Sequence, residues 1–185
     1  MSVSPAAVTH FADVDALINF LRTTADCPLE EDGLFELDHG LQCAAELKAA
    51  VPDDEELQVA GLVHDVCHGQ CHISIHDQVG AEAVRGVLGD RVAALVGLHV
   101  DAKRYLVATD DSYSGELSRV STATLELQGG PMDAEEVRAF EAGPYAGDAV
   151  RLRKADEAAK TPGRSVPGLE AWEDALRRVA AAHAR

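Results

Sequence analysis

The chain has 185 residues and a formal net charge of −16, from 16 Lys and Arg against 32 Asp and Glu. That length supports one domain with a sizeable core, and with aromatics at only 4% the core is expected to be mainly Ala, Val and Leu. The acidic balance argues against a nucleic-acid or anionic-membrane surface, so an anionic substrate would need its own local positive site. No run approaches the roughly 20 apolar residues of a membrane span. The N-terminal MSVSPAAVTHFADVDALINF lacks a basic n-region. The expected compartment is the cytoplasm, where Cys27, Cys43, Cys67 and Cys71 are expected as free thiols. Cys67-His68 and Cys71-His72 superficially resemble a zinc cluster, but no second tight thiol pair is present to close it.

The elements read as helices in chain order. Residues 4–22 place Val8, Phe11, Val14, Leu17, Ile18 and Leu21 near helical spacing. Residues 23–35 form a polar loop with Pro28 and Gly33. A helix over 36–50 follows, then one over 54–68 with acidic residues in its first turn and Gly69 as its stop. Residues 75–88 and 90–106 read as two helices parted at Gly89-Asp90. A helix is expected over 115–127, a short capped one within MDAEEVRAFEAG, and two more over 146–160 and 167–183. No strand, repeat or interdomain linker is evident. The expected architecture is all-α, one domain spanning residues 1–185.

The polar residues on these helices carry the chemistry. His64 and Asp65 sit side by side in the apolar run VAGLVHDVCHG, where burying them costs desolvation energy unless something pairs with them. His68 lies four residues after His64, on the same face if the helix continues. His39, His76, His99 and Asp156 lie on other helices. A single such histidine is more often a hydrogen-bonded core residue. Six imidazoles and carboxylates spread over several helices point instead to a metal site suited to iron, manganese or zinc.

The order His39, then His64-Asp65, then Asp156 resembles the signature of the HD-domain metalloprotein superfamily. His76 in IHDQVGAEAV and His99 in LHVDAKRYL match the extra histidines of its dinuclear branch. The resemblance implies a helical bundle with a dinuclear site in a core over about 36–160. Asp65 would bridge two metals, with His39, His64 and Asp156 completing one shell and His76 and His99 the other. Hydrolytic dinuclear members typically place Lys where this chain has His68. That feature, with LHVDAKRYL, LQGGPM and the DEAAK segment, is similar to the mixed-valent diiron oxygenases that cleave 1-hydroxyphosphonates, typified by 2-amino-1-hydroxyethylphosphonate dioxygenase.

This resemblance implies an Fe(II)/Fe(III) pair, O2 as co-substrate, and cleavage of an organophosphonate to a carboxylic acid and inorganic phosphate. It also implies an upstream hydroxylase that makes the 1-hydroxyphosphonate. The carried-over substrate contacts are His68, Lys103, Ser121, Gln128 and Arg153, with His68 and Lys103 catalytic. His68 is expected to titrate near neutrality and so to relay a proton. Where the branch has a Tyr and a Glu before its first ligand histidine, this chain has Leu29 and Asp32. Asp32, Glu31 or Glu30 remains to meet a cationic substituent, and the C1 group of the substrate stays open. A phosphohydrolase using the same ligands is the alternative, and a non-catalytic binding protein a third class. The sequence leaves the oligomeric state open.

Overall fold

The computed structural model describes residues 10–30 and 33–184. Among these residues the chain is all helical: α1 (Val14–Thr23), α2 (Glu36–Ala50), α3 (Glu55–Val63), α4 (His76–Thr109), α5 (Asp111–Glu116), α6 (Arg119–Leu127), α7 (Ala134–Glu141), α8 (Ala146–Ala158) and α9 (Glu173–His183), with short 3₁₀ turns between some of them. The loop before α2 is pinned by an isolated antiparallel bridge between Pro28 and Phe35. No helix among the described residues is long and apolar enough to cross a membrane.

Several boundaries follow from side-chain caps. Asp13 accepts from the Ala16 N–H at 2.8 Å, so α1 starts at Val14, later than the periodicity predicts; residues 4–9 lie outside the described residues. Asp54 caps α3, and Asp133 with Glu136 forms the expected capping box on α7. The helix predicted over 115–127 is two helices. Ser118 caps α6 by accepting from the Ser121 N–H, and Leu117 is extended, so α5 ends at Glu116.

The largest difference lies after Val63. The predicted helix to residue 68 stops there, and tight turns follow, with Val66 N–H donating to Val63 O and His68 N–H to Asp65 O. His64 and His68 therefore do not share a helical face. The predicted break at Gly89 is present: α4 is two helical arms joined at a residue with φ +89° and ψ 174°.

α2 packs against α3 and α8, and α4 crosses α3, α8 and α9 around a core that includes Leu47, Leu57, Leu88, Leu95, Leu152 and Leu176. At Gly40 a Cβ would lie 2.5 Å from Leu62 O, so the glycine lets α2 and α3 meet backbone to backbone. That close approach brings His39 beside His64, with ring centroids 5.0 Å apart. Arg91, on the second arm of α4, donates to Asp54, Glu56 and Asp148 at 2.7–2.9 Å and ties that arm to the starts of α3 and α8.

Candidate metal centre and anion seat

Four histidines arrive from separate segments in one buried cluster. His39 comes from α2, His64 from the end of α3, His76 from the start of α4 and His99 from its second arm, and each is 0–3% exposed. Each Nδ1 is paired with a main-chain carbonyl: His39 with Ala159 at 3.2 Å, His64 with Gly61 at 2.8 Å, His76 with Ile73 at 2.7 Å and His99 with Val96 at 2.7 Å. A carbonyl only accepts, so each Nδ1 carries the proton and each Nε2 is left to present a lone pair inward.

Those Nε2 atoms converge on Asp65. Its Oδ2 lies 3.6 Å from His39 Nε2 and 3.5 Å from His64 Nε2, and its Oδ1 lies 3.2 Å from His76 Nε2 and 3.5 Å from His99 Nε2. One carboxylate thus faces two histidine pairs with its two oxygens. His39, His64 and Asp65 form one triad with metal-ligand spacing, and Asp65, His76 and His99 form another. Asp156 adjoins the first through Oδ1, 3.2 Å from His39 Nε2 and 3.7 Å from His64 Nε2.

The donor set fits cations. His64 Nε2 and Asp65 Oδ1 are buried without a hydrogen-bond partner. His76 Nε2 and His99 Nε2 approach to 3.1 Å with both lone pairs inward, an arrangement that a cation between them would stabilise. Charge tells the same story. Burial opposes ionisation of Asp65, but His64 and His76 outweigh it and hold the carboxyl well below its usual range. Burial likewise opposes charge on Asp156, and Arg153 and Lys160 overcome it. Burial and then His76 hold His99 well below the usual imidazole range. The centre sets the carboxylates of Asp65 and Asp156 among four buried imidazoles, a donor set that suits cations. No thiol takes part in either triad. Burial pushes Cys67 up to about 11, so it stays a thiol.

Beside the centre lies a cavity of about 60 Å³ lined by His68, Lys103, Ser121, Gln128 and Arg153, with Leu29 and Glu30 at its loop side. The five carried-over contacts therefore do come together. Asp32 and Glu31 lie outside the described residues.

Lys103 is 3% exposed and donates to Ser121 O at 3.3 Å and Thr124 Oγ1 at 3.0 Å. Burial, then repulsion from Arg153, lowers its pKa to about 7. Arg153 donates from Nε to the Tyr113 hydroxyl at 2.7 Å, from Nη1 to Asp156, and from Nη2 to Glu157 and to Ser121 Oγ at 3.0 Å. Gln128 donates to Ile73 O at 3.3 Å and keeps a buried Oε1 without a partner.

His68 differs from its expectation. Its Nδ1 lies 3.7 Å from Glu36 and its Nε2 3.9 Å from Glu30. The Glu36 contact, opposed by burial, raises its pKa to about 9, so the ring is cationic at neutral pH instead of titrating there.

Sequence reasoning missed Tyr113, Thr124, Glu36, Glu157 and Lys160. Glu157 and Lys160 had a signal, since they follow Asp156 by one and four residues. Tyr113 had none, because its contact with Arg153 spans 40 residues and a break between helices.

Comparison with known proteins agrees with this geometry. Residues 38–142 match the HD domain, and the chain belongs to the HD-domain family. Within that family it groups with phosphonate dioxygenases. It is 35% identical to a protein of Gimesia maris named hydroxymethylphosphonate dioxygenase, across 77% of this chain and 76% of that one. It is 34% identical to the [1-hydroxy-2-(trimethylamino)ethyl]phosphonate dioxygenase (glycine-betaine-forming) of Leisingera caerulea, across 70% and 71%. An uncharacterised protein of Acanthamoeba polyphaga mimivirus is 26% identical across 89% and 80%.

Proposed function

We propose that this chain, residues 1–185 as one HD domain, is an iron-dependent dioxygenase. It cleaves the C–P bond of a 1-hydroxyphosphonate with O2, giving a carboxylic acid and inorganic phosphate. The observation that carries this reading is the junction, in one cavity, of the Asp65-centred donor triads with the buried cations Lys103 and Arg153. The phosphonate dioxygenases among its relatives support the same chemistry.

His39, His64, Asp65 and Asp156 would hold one iron, and Asp65, His76 and His99 the other. When bound, an Fe(II)/Fe(III) pair supplies Lewis acidity and one-electron chemistry toward O2. The remaining work falls to the protein. Lys103 and Arg153 bind phosphonate oxygens through charge-assisted hydrogen bonds. Both are nearly inaccessible to water, which strengthens that attraction. Gln128 offers its unpartnered Oε1 to the C1 hydroxyl, and Ser121 holds the cations in register. His68, already protonated, offers its Nε2 proton to a phosphonate oxygen in exchange for Glu30. It holds that proton as a donor and does not abstract one. Leu29 and Glu30 flank the C1 substituent. The chemistry requires an upstream hydroxylating step to supply the 1-hydroxyphosphonate.

The test is orthophosphate release by iron-reconstituted protein from a panel of 1-hydroxyphosphonates, in air and under strict anaerobiosis. Release only with O2 supports the oxygenase. Release from phosphate esters in both atmospheres would replace it with the hydrolase.

A further inference from the structure

The DEAAK segment at the end of α8 carries two charged side chains outside the assignments above, Glu157 and Lys160. Lys160 lies four residues after Asp156 on the same side of the helix end, and its side chain is 13% exposed. It lines the same cavity as Lys103 and the donor triads. Its Nζ donates to Ser121 Oγ at 2.6 Å and to Glu157 Oε2 at 2.8 Å, and lies 3.7 Å from Asp156 Oδ1. An ammonium has three N–H groups, so one is left for the cavity.

Ser121 is consequently clasped from two sides. Lys103 holds its carbonyl, and Lys160 with Arg153 holds its hydroxyl oxygen. Those two donors fill both lone pairs of Oγ, and the single hydroxyl proton goes to Glu157 Oε2 at 3.0 Å. Ser121 therefore has no proton to spare for a ligand and acts as the joint between the cations. Glu157 is part of that joint and not of the cavity lining. Its Oε1 accepts from Ser118 N–H at 2.6 Å, and its Oε2 gathers Arg153, Lys160 and Ser121. The two lysines also differ in their company. Lys160 has carboxylates of Asp156 and Glu157 within 4 Å, and Lys103 has no such ion pair among the described residues.

We propose that Lys160 is a further phosphonate-binding residue, presenting its free N–H to a substrate oxygen opposite Lys103, and that Glu157 positions it. The inference rests on the phosphonate reading of the cavity. It assigns the anion two ammonium donors and withdraws direct donation from Ser121.

Inorganic phosphate is the probe, titrated calorimetrically into iron-loaded protein and its variants. Lys160→Met should weaken phosphate binding about 10- to 100-fold, the loss of one charge-assisted contact. Lys160→Arg should restore most of it. The KM for a turned-over phosphonate should rise in parallel with little change in kcat, while metal content and Tm stay near wild type. Wild-type phosphate affinity in Lys160→Met, with phosphonate turnover intact, overturns the assignment of Lys160 alone. So does weakened binding that comes with lost metal or a large fall in Tm and is not restored by Lys160→Arg, since that is a structural role. If the wild type neither binds phosphate nor releases it from any phosphonate, the reading of the cavity itself fails and this inference falls with it.

Discussion

On the His/Asp side of the cavity, every imidazole is anchored by its Nδ1–H to a main-chain carbonyl, three of them within the same turn of chain. On the cationic side, Lys103, Arg153 and Lys160 are held mainly by other side chains, through Thr124, Tyr113, Ser121 and Glu157. The first side is fixed by the backbone, so each ligand's direction is set once its helix is packed. The second is a network whose members hold one another and whose charges nearly balance before any anion enters. Backbone anchoring suits a centre that must keep constant geometry. A side-chain network suits a seat that exchanges internal partners for a ligand.

Removing the residue that both triads share should break the first side outright. Asp65→Ala removes the carboxylate that both histidine pairs face and leaves only Asp156, beside His39 and His64. Metal per chain, measured by plasma mass spectrometry, should fall to near zero, and activity should drop by at least about 10³-fold, the several kcal/mol that a Lewis-acid centre supplies. Full metal loading in this variant would refute the bridging role of Asp65. The cationic side should survive, so Tm is expected to change far less than activity.

The same contrast explains what the sequence reveals. His39, His76, His99 and Asp156 are legible because short side chains on helices go where the helix points them, and His64 and Asp65 because their residue types are costly in an apolar run. The break at Gly89 and the capping box at Asp133 are legible because they are local. The end of α3 is not: VAGLVHDVCHG has no Gly or Pro between Val63 and Gly69, yet the chain turns tightly at Val63 as His64 and Asp65 aim into the centre. Nor is the protonation of His68, set by Glu36 from another helix 32 positions upstream. Long side chains such as Arg153 and Lys160 reach partners that spacing alone does not specify.

Lys103 offers a sharper probe of the second side. Its pKa of about 7 means it is charged below neutrality and mostly neutral above it. Phosphonate affinity should therefore weaken as pH rises from 6 to 8.5, with a transition near 7, because deprotonation removes a cation from the seat. Lys103→Met should raise KM about 10- to 100-fold and flatten that transition. Lys103→Arg, charged throughout, should keep affinity high at pH 8.5. A wild-type KM in Lys103→Met would remove the residue from the seat. An unchanged pH profile in that variant would move the titration to another group.

The mildest change separates backbone anchoring from helix geometry. Gly89 joins the arm of α4 that carries His76 to the arm that carries His99 and Lys103. Its φ of +89° disfavours any side chain, and a Cβ there would meet His183 Nδ1 at 3.0 Å. Gly89→Ala should destabilise the fold by about 1–2 kcal/mol, a fall in Tm of roughly 2–8 °C. If the local Nδ1 contacts to Ile73 and Val96 set the His76 and His99 ring directions, metal stoichiometry should stay at the wild-type value while the hinge is strained. Loss of the second metal alone would show the opposite: that the angle between the two arms of α4, and not the carbonyl anchors, holds that half of the centre together.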